Sequence, residues 1–214
     1  MLKIVRLLNN PVDSNCYVIK DMANGNGCII VDPGSCDNGQ LYESLTKDGL
    51  NPQYVILTHE HFDHCWGVDS MRERFPNLKL ICSATCSCAI QDKKANHSIF
   101  FQQPGFELKS ADIILDENDW AFEWYNYKMN FHPAQGHTTS GIIFTINNYV
   151  FTGDELIKGI RTVTKLKTGS KEKLTESIQL LGQMKGKGLT VCPGHGEVFL
   201  LDEYDLDIAF GASK

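Results

Sequence analysis

The sequence predicts an α/β domain, and three observations carry that prediction. Apolar strand-type runs alternate with amphipathic segments through residues 54–94, the pattern of strands covered by helices. Several of those runs end in tight punctuation, as at Pro33-Gly34 and Pro193-Gly194, where a strand gives way to a turn. No composition break or long linker interrupts the 214 residues, so residues 1–214 are expected to form a single domain.

The opening is β-rich. Residues 2–8 and 15–20 are apolar runs, and CIIVD at 28–32 is a third. The NGNG stretch at 24–27 between the second and third is a hairpin signal. Residues 40–48 fit a short helix, with Leu41 and Leu45 at i and i+4 and Gly49 as its stop. A buried strand at 54–58 (YVILT) follows, then a helix at 66–75 ended by Pro76, a strand at 79–82 and a helix at 84–94. Residues 93–112 are expected to be a long loop with some helix. In the second half, strands are expected at 120–124, 127–132, 141–146 and 149–152. Leu174, Ile178, Leu181 and Met184 give one face to a helix at 172–184. The strand LTVC at 189–192 then leads into Pro193-Gly194-His195-Gly196.

Composition narrows the function classes. Hydrophobic residues make up 42% and charged residues 21%, which supports a packed core and excludes global disorder. A net charge of −6 gives no general attraction to nucleic acid or anionic membrane. No run approaches about 18 consecutive apolar residues, the length of a membrane span. The start, MLKIVRLLNNPVDSN, is broken by Lys3 and Arg6 and does not read as a signal peptide. A cytoplasmic location with reduced thiols is therefore expected for the eight cysteines. The Cys82, Cys86 and Cys88 spacing lacks the second half that a structural zinc site needs. Trp120, Trp124 and Tyr125 are candidates for an interface.

The chemistry concentrates in Thr58-His59-Glu60-His61-Phe62-Asp63-His64. Four potential metal ligands fall within six residues. Read as an extended loop, the segment puts His59, His61 and Asp63 on one side, with His64 placed for a second ion. The loop leaves a strand at its C-terminal end, where open α/β sheets bind ligands. The helical H-E-x-x-H motif does not fit, because Asp63 stands where it needs a histidine. Crowding three histidines and an aspartate without a cation would leave their polar atoms poorly satisfied. Three later turns each carry one further ligand beside glycine: Gly136-His137, Gly153-Asp154 and Gly194-His195. His97 and His132 are left over, and Cys65 reads as a buried thiol rather than a nucleophile.

H-x-H-x-D-H followed by isolated His, Asp and His after strands resembles the metallo-β-lactamase superfamily, most of all its glyoxalase II-like (hydroxyacylglutathione hydrolase-like) branch. The resemblance runs from Asn15-Cys16-Tyr17 and Val31-Asp32-Pro33-Gly34 to Pro193-Gly194-His195-Gly196. It implies an αββα four-layer sandwich of two mixed β-sheets flanked by helices. It assigns His59, His61 and His137 to one metal, Asp63, His64 and His195 to a second, and Asp154 to both. Asp32 would orient the ligand loop. Two departures stand out. The branch carries a C-terminal helical domain that helps bind glutathione, whereas 19 residues follow His195 here. Trp66-Gly67 also replaces the frequent Gly-Gly.

The expected function is that of a metal-dependent hydrolase. Two divalent ions, with Asp63, Asp154 and a bridging hydroxide, carry a net charge of about +1 and keep water ionised near pH 7. The hydroxide would attack a thioester, ester or lactone, with Asp63 orienting it. Zinc is the default ion for such ligands, and iron and manganese accept the same set. Lys158, Arg161, Lys165 and Lys167, in the basic stretch after Asp154, are candidates to bind an anionic group of a small-molecule substrate. No nucleic-acid or membrane partner is expected. A true β-lactamase fits less well, because it would normally need export. The rival readings are a phosphodiesterase on the same dinuclear site and an oxidoreductase resembling the one-iron persulfide dioxygenases.

Overall fold

The computed structural model describes residues 1–115 and 120–211. The chain divides into two compact units, Met1–Leu115 and Asp116–Lys214.

The first unit runs β1 (Leu2–Leu8), β2 (Asn15–Asp21), β3 (Gly27–Val31), α1 (Gly39–Lys47), β4 (Asn51–Ile56), α2 (Phe62–Cys65), α3 (Val68–Arg74), β5 (Lys79–Ser83), α4 (Ala84–Ala89), α5 (Ser98–Phe101) and β6 (Ile113–Leu115). The six strands form one sheet in chain order. β1, β2 and β3 pair antiparallel, the second pair through the NGNG connection, and β3 to β6 pair parallel. β2 and β3 are buried along their whole length, as continuous apolar runs require. Leu41 and Leu45 of α1 and Val68 and Met71 of α3 pack on Cys28, Ile30, Val55, Leu57 and Leu80 of one sheet face. Burying each large side chain is worth about 1.5–3 kcal/mol. Gly49 sits at φ 61 and its N–H closes α1 on the Thr46 carbonyl, the stop read from the sequence.

Two expectations need correction here. The helix expected at 66–75 is α3, which starts only at Val68, and a separate short helix, α2, precedes it across Trp66-Gly67. Gly67 N donates to the Pro33 carbonyl at 2.7 Å, and a Cβ on Gly67 would lie 2.3 Å from the Asn38 side chain. The helix at 84–94 ends at Ala89. The Ile90 carbonyl is taken by Leu108 N–H and by Asn96 Nδ2, so the backbone leaves the helical ladder there. The three-residue β6 borders the stretch read as loop and helix around 93–112, and it is too short to show a period.

The second unit runs β7 (Ala121–Trp124), β8 (Tyr127–Pro133), β9 (Ile142–Ile146), β10 (Tyr149–Gly153), α6 (Lys171–Met184), β11 (Thr190–Pro193) and β12 (Phe199–Leu200), then two 3-10 turns. Its sheet has the order β12-β11-β10-β9-β8-β7. Only β10 and β11 are parallel. α6 begins at a Ser170 cap, whose Oγ accepts Lys173 N–H. It buries Leu174, Ile178, Leu181 and Met184 with Ile143, Val150 and Val191. A ladder of Phe131, Phe144 and Phe151 rings crosses β8, β9 and β10, with centroids 5.2 and 4.5 Å apart. The two-residue β12 gave no readable signal in the sequence.

Among the described residues, no helix is long and apolar enough to cross a membrane. All eight cysteines are free; Cys36 and Cys88 are exposed and the others are buried. Of the aromatic residues considered for an interface, Trp124 is buried while Tyr125 is exposed.

Candidate metal centre

In the first unit the site grows from the C-terminal ends of the parallel neighbours β3 and β4. Asp32 follows β3 directly, and its backbone stands at φ 50. Its buried carboxylate organises the residues after β4. Oδ1 accepts Thr58 N–H at 2.8 Å, and Oδ2 accepts the Thr58 hydroxyl at 2.6 Å. His64 Nδ1 lies 3.0 Å from the same Oδ2. A carboxylate only accepts, so His64 carries its proton on Nδ1 and keeps its lone pair on Nε2. The chain continues through Thr58. Its hydroxyl proton goes to Asp32, so its oxygen accepts from His59 Nδ1 at 3.0 Å, which leaves the His59 lone pair on Nε2 as well. Asp32 was expected to orient this segment, and it does so through both the loop and a histidine.

His59, His61 and His64 form a tight ring cluster, with centroids 4.7 Å apart for His59–His61 and 4.2 Å for His59–His64. Ligand atoms of Asp32, His59 and His64 fall within 4.8 Å of one another. The extended-loop expectation for this segment is corrected. Thr58 and His59 lie in a bend, and Asp63 and His64 ride on the short helix α2. Asp63 Oδ2 is 3.7 Å from His64 Nε2. Backbone contacts fix the helix. The Asp63 carbonyl accepts the Ser14 hydroxyl, and Phe62 N–H donates to the Asn96 carbonyl at 2.8 Å. A Cβ on Gly34 would lie 1.6 Å from the Asp63 carbonyl oxygen, so glycine is required there by close approach.

In the second unit three turns leave one edge of the sheet. β8 and β10 run in the same direction because both pair antiparallel with β9, and β11 is parallel to β10. His137, Asp154 and His195 follow the ends of these three strands. Asp154 Oδ2 lies 3.7 Å from His137 Nε2 and 3.5 Å from His195 Nε2. His137 Nδ1 donates to the Val163 carbonyl at 2.9 Å, and a carbonyl can only accept. The His137 lone pair therefore also stays on Nε2 and faces a carboxylate oxygen, an arrangement that a cation between them stabilises.

The basic stretch after Asp154 thus meets a site residue, but through the Val163 carbonyl rather than through a cation. Lys158, Arg161, Lys165 and Lys167 are exposed, and Lys158 pairs with Glu197 at 3.4 Å.

Two residues near the ligands carried no sequence signal strong enough to single them out. Glu155 is a buried carboxylate that accepts Gly136 N–H at 3.0 Å and His137 N–H at 2.8 Å. Burial pushes its carboxyl above the usual range, opposed by hydrogen bonds from Ser177, His137 and Gly136. Its one visible cue is a second acid directly after Asp154. His97, a histidine left over from the motif, stacks on His61 with centroids 4.5 Å apart. Burial also lifts the Cys65 thiol well above its ordinary value, and its Sγ donates to the Glu60 carbonyl, in keeping with an inert packing residue.

Two mixed six-stranded sheets with histidines and aspartates at strand ends define an α/β protein with side-chain groups able to hold a metal ion. The chain belongs to the metallo-beta-lactamase superfamily, whose family model matches residues 9–195. It is 29% identical over 191 residues to a hydroxyacylglutathione hydrolase of Hamiltonella defensa, covering 89% of this chain and 66% of that one. The chain thus spans a little under two thirds of that relative's length. Among solved structures it resembles the BLEG-1 B3 metallo-beta-lactamase, with a TM-score of 0.84 at 24% identity, over 93% of this chain and 94% of that one. A protein crystallised in a di-iron-bound form matches with a TM-score of 0.75 at 22% identity, over 95% of this chain and 96% of that one. At these identities the structural likenesses establish the fold.

Proposed function

We propose that the chain is a dinuclear metal-dependent hydrolase that cleaves a thioester, ester or lactone of a small substrate. In this reading His59, His61 and His137 hold one divalent ion, Asp63, His64 and His195 hold the other, and Asp154 serves both. One observation carries it. His59, His64 and His137 are each fixed with the proton on Nδ1, by Thr58, Asp32 and Val163 respectively, which presents Nε2 as a ligand atom. Such partners behind metal-binding histidines fix the ring and raise its basicity. The similarity to a hydroxyacylglutathione hydrolase supports the acyl-bond reading.

Bound divalent ions of this kind supply an activated water near neutral pH and Lewis acidity toward the substrate carbonyl. The protein's own contribution is orientation. Asp32 holds the His64 imidazole and Thr58 that of His59. Glu155 holds the backbone of Gly136 and His137, and Val163 fixes the His137 ring. Asp63, on a helix clamped by Gly34 and Ser14, accepts a hydrogen bond from the attacking water and aims it. Zinc is the proposed ion, with iron and manganese compatible with the same ligands. Lys158, Arg161, Lys165 and Lys167 are proposed to attract an anionic substrate group.

The test is metal analysis of the purified protein alongside rates on acyl thioesters, lactones and bis-p-nitrophenyl phosphate. Two metals per chain with acyl-bond cleavage is the expected result. Preferential phosphodiester cleavage would transfer the site to the phosphodiesterase class. A single iron with oxygen uptake would transfer it to the dioxygenase class.

A further inference from the structure

Beside the ligand helix lies a cavity of about 90 Å³ lined by Phe62, Trp66, Ser98, Gln102, Gly105 and Phe106. Its walls are aromatic. Phe62 stacks on Phe101 at 4.6 Å, and Trp66 stacks on Phe106 at 5.4 Å. Phe101 also meets Trp66 edge-on at 6.0 Å. Phe62 and Trp66 lie one helical turn apart, on the same face of the ligand segment, and Phe62 stands between His61 and Asp63 in the chain.

The opposite wall is preformed. Asn96 is fully buried; its Nδ2 donates to the Ile90 and Phe106 carbonyls and its Oδ1 accepts Ser98 N–H. Ser98 Oγ accepts Phe106 N–H and donates to the Phe106 carbonyl, so its hydroxyl is committed to the wall. None of the residues lining the cavity is charged. His97, next to the lining residue Ser98 in the chain, stacks its ring on His61 and meets Phe100 edge-on at 6.0 Å.

We propose that this cavity is the acyl subsite of the enzyme and takes a short uncharged aliphatic acyl group, of butyryl or isobutyryl size. The inference rests on the hydrolase reading above. The volume sets the occupant. An apolar cavity of about 150 Å³ accepts benzene, so a cavity of about 90 Å³ accommodates three or four carbons and excludes an aryl ring. Each buried methylene is worth about fourfold in kcat/KM, the equivalent of about 0.8 kcal/mol. From acetyl to butyryl, kcat/KM therefore rises about tenfold or more, then falls at hexanoyl. The substrate would lay its acyl chain against the aromatic rings.

The experiment compares acetyl, butyryl, isobutyryl and hexanoyl thioesters on wild-type protein, Gln102→Phe and Phe101→Ala. Saturation-transfer NMR with acetamide and butyramide is run in parallel on the metal-loaded proteins. Gln102 and Phe101 are exposed, so both variants keep the fold, as melting temperatures will verify. Gln102→Phe plugs the cavity and cuts the butyryl-to-acetyl ratio toward one, with loss of transfer to butyramide. Phe101→Ala shifts the optimum toward hexanoyl. If no acyl substrate is cleaved but butyramide binds and Gln102→Phe abolishes that binding, the subsite stands and the hydrolase reading falls. If all chain lengths are cleaved equally and butyramide shows no transfer, the hydrolase reading stands and the subsite is overturned. Absence of both cleavage and binding overturns both.

Discussion

The two units gather their ligands in opposite ways. The first draws four candidate ligands from a single run of six residues, held by a carboxylate that binds one backbone N–H, a hydroxyl and an imidazole. The second draws three from separate turns, held by a carboxylate that works on backbone N–H groups. Asp32 fixes which nitrogen of His64 carries a proton, whereas Glu155 fixes where the His137 backbone lies. The comparison teaches that a local cluster needs its tautomers controlled, because its rings crowd one another. A dispersed set needs its loops controlled, because each ligand arrives on its own tether.

The sharpest way to break this contrast is Gly34→Ala. Its Cβ would meet a backbone oxygen at 1.6 Å, so the ligand helix must move or the unit must unfold. A loss above about 4 kcal/mol is expected. That corresponds to a fall of roughly 8–16 °C in Tm for a chain of this size. A calorimetric Tm close to wild type would show that the ligand run is not clamped at all. Gly136→Ala is the counterpart. Its Cβ would lie 2.5 Å from Glu155 Oε1 and 2.6 Å from Leu174 Cα, and a smaller drop of several degrees is expected because these approaches are about 1 Å longer than the one at Gly34.

Asp32→Asn separates tautomer control from packing. The amide retains the shape and one acceptor but turns an N–H toward either Thr58 or His64. Metal affinity should fall about 10–100-fold, measured by competition with a chromogenic chelator, with little change in Tm. A large Tm loss at unchanged affinity would reassign Asp32 to folding alone. Glu155→Gln should cost less in metal affinity, because Glu155 touches the backbone of His137 and not its ring. Its amide oxygen still accepts from Gly136 or His137, and about 1–2 kcal/mol of stability is expected to go with the weaker hydrogen bond. The smallest effect belongs to Lys165→Ala and Lys167→Ala. Both side chains are exposed, and a change in KM of a few-fold is expected for anionic substrates only. Equal changes with neutral substrates would remove the substrate-binding role.

The same contrast governs how much of the molecule was legible in the sequence. His59, His61, Asp63 and His64 stood out because so dense a run of ligand-type side chains is hard to satisfy without a cation. Asp32 came in through the family resemblance, which includes Val31-Asp32-Pro33-Gly34. His137, Asp154 and His195 were legible through glycine at strand ends. What escaped depends on distant contacts. The break at Trp66-Gly67 exists because Asn38 and Pro33 reach it from another segment. Helix α4 ends early because Leu108 and Asn96 claim the Ile90 carbonyl. Glu155 looks like any surface acid until the turn folds back on it. His97 gains meaning only when its ring comes to rest on His61. Strands β6 and β12 are too short for a period of two to register.

The hydrogen bond from His137 Nδ1 to the Val163 carbonyl has a consequence for engineering. The loop that would select substrates hangs from the ring that would grip the ion. Grafting in a different loop to retune specificity therefore also loosens or re-aims that ring, and variants chosen only for a new substrate will tend to bleed metal. A graft that preserves the main-chain path at position 163 lets the two traits be tuned apart.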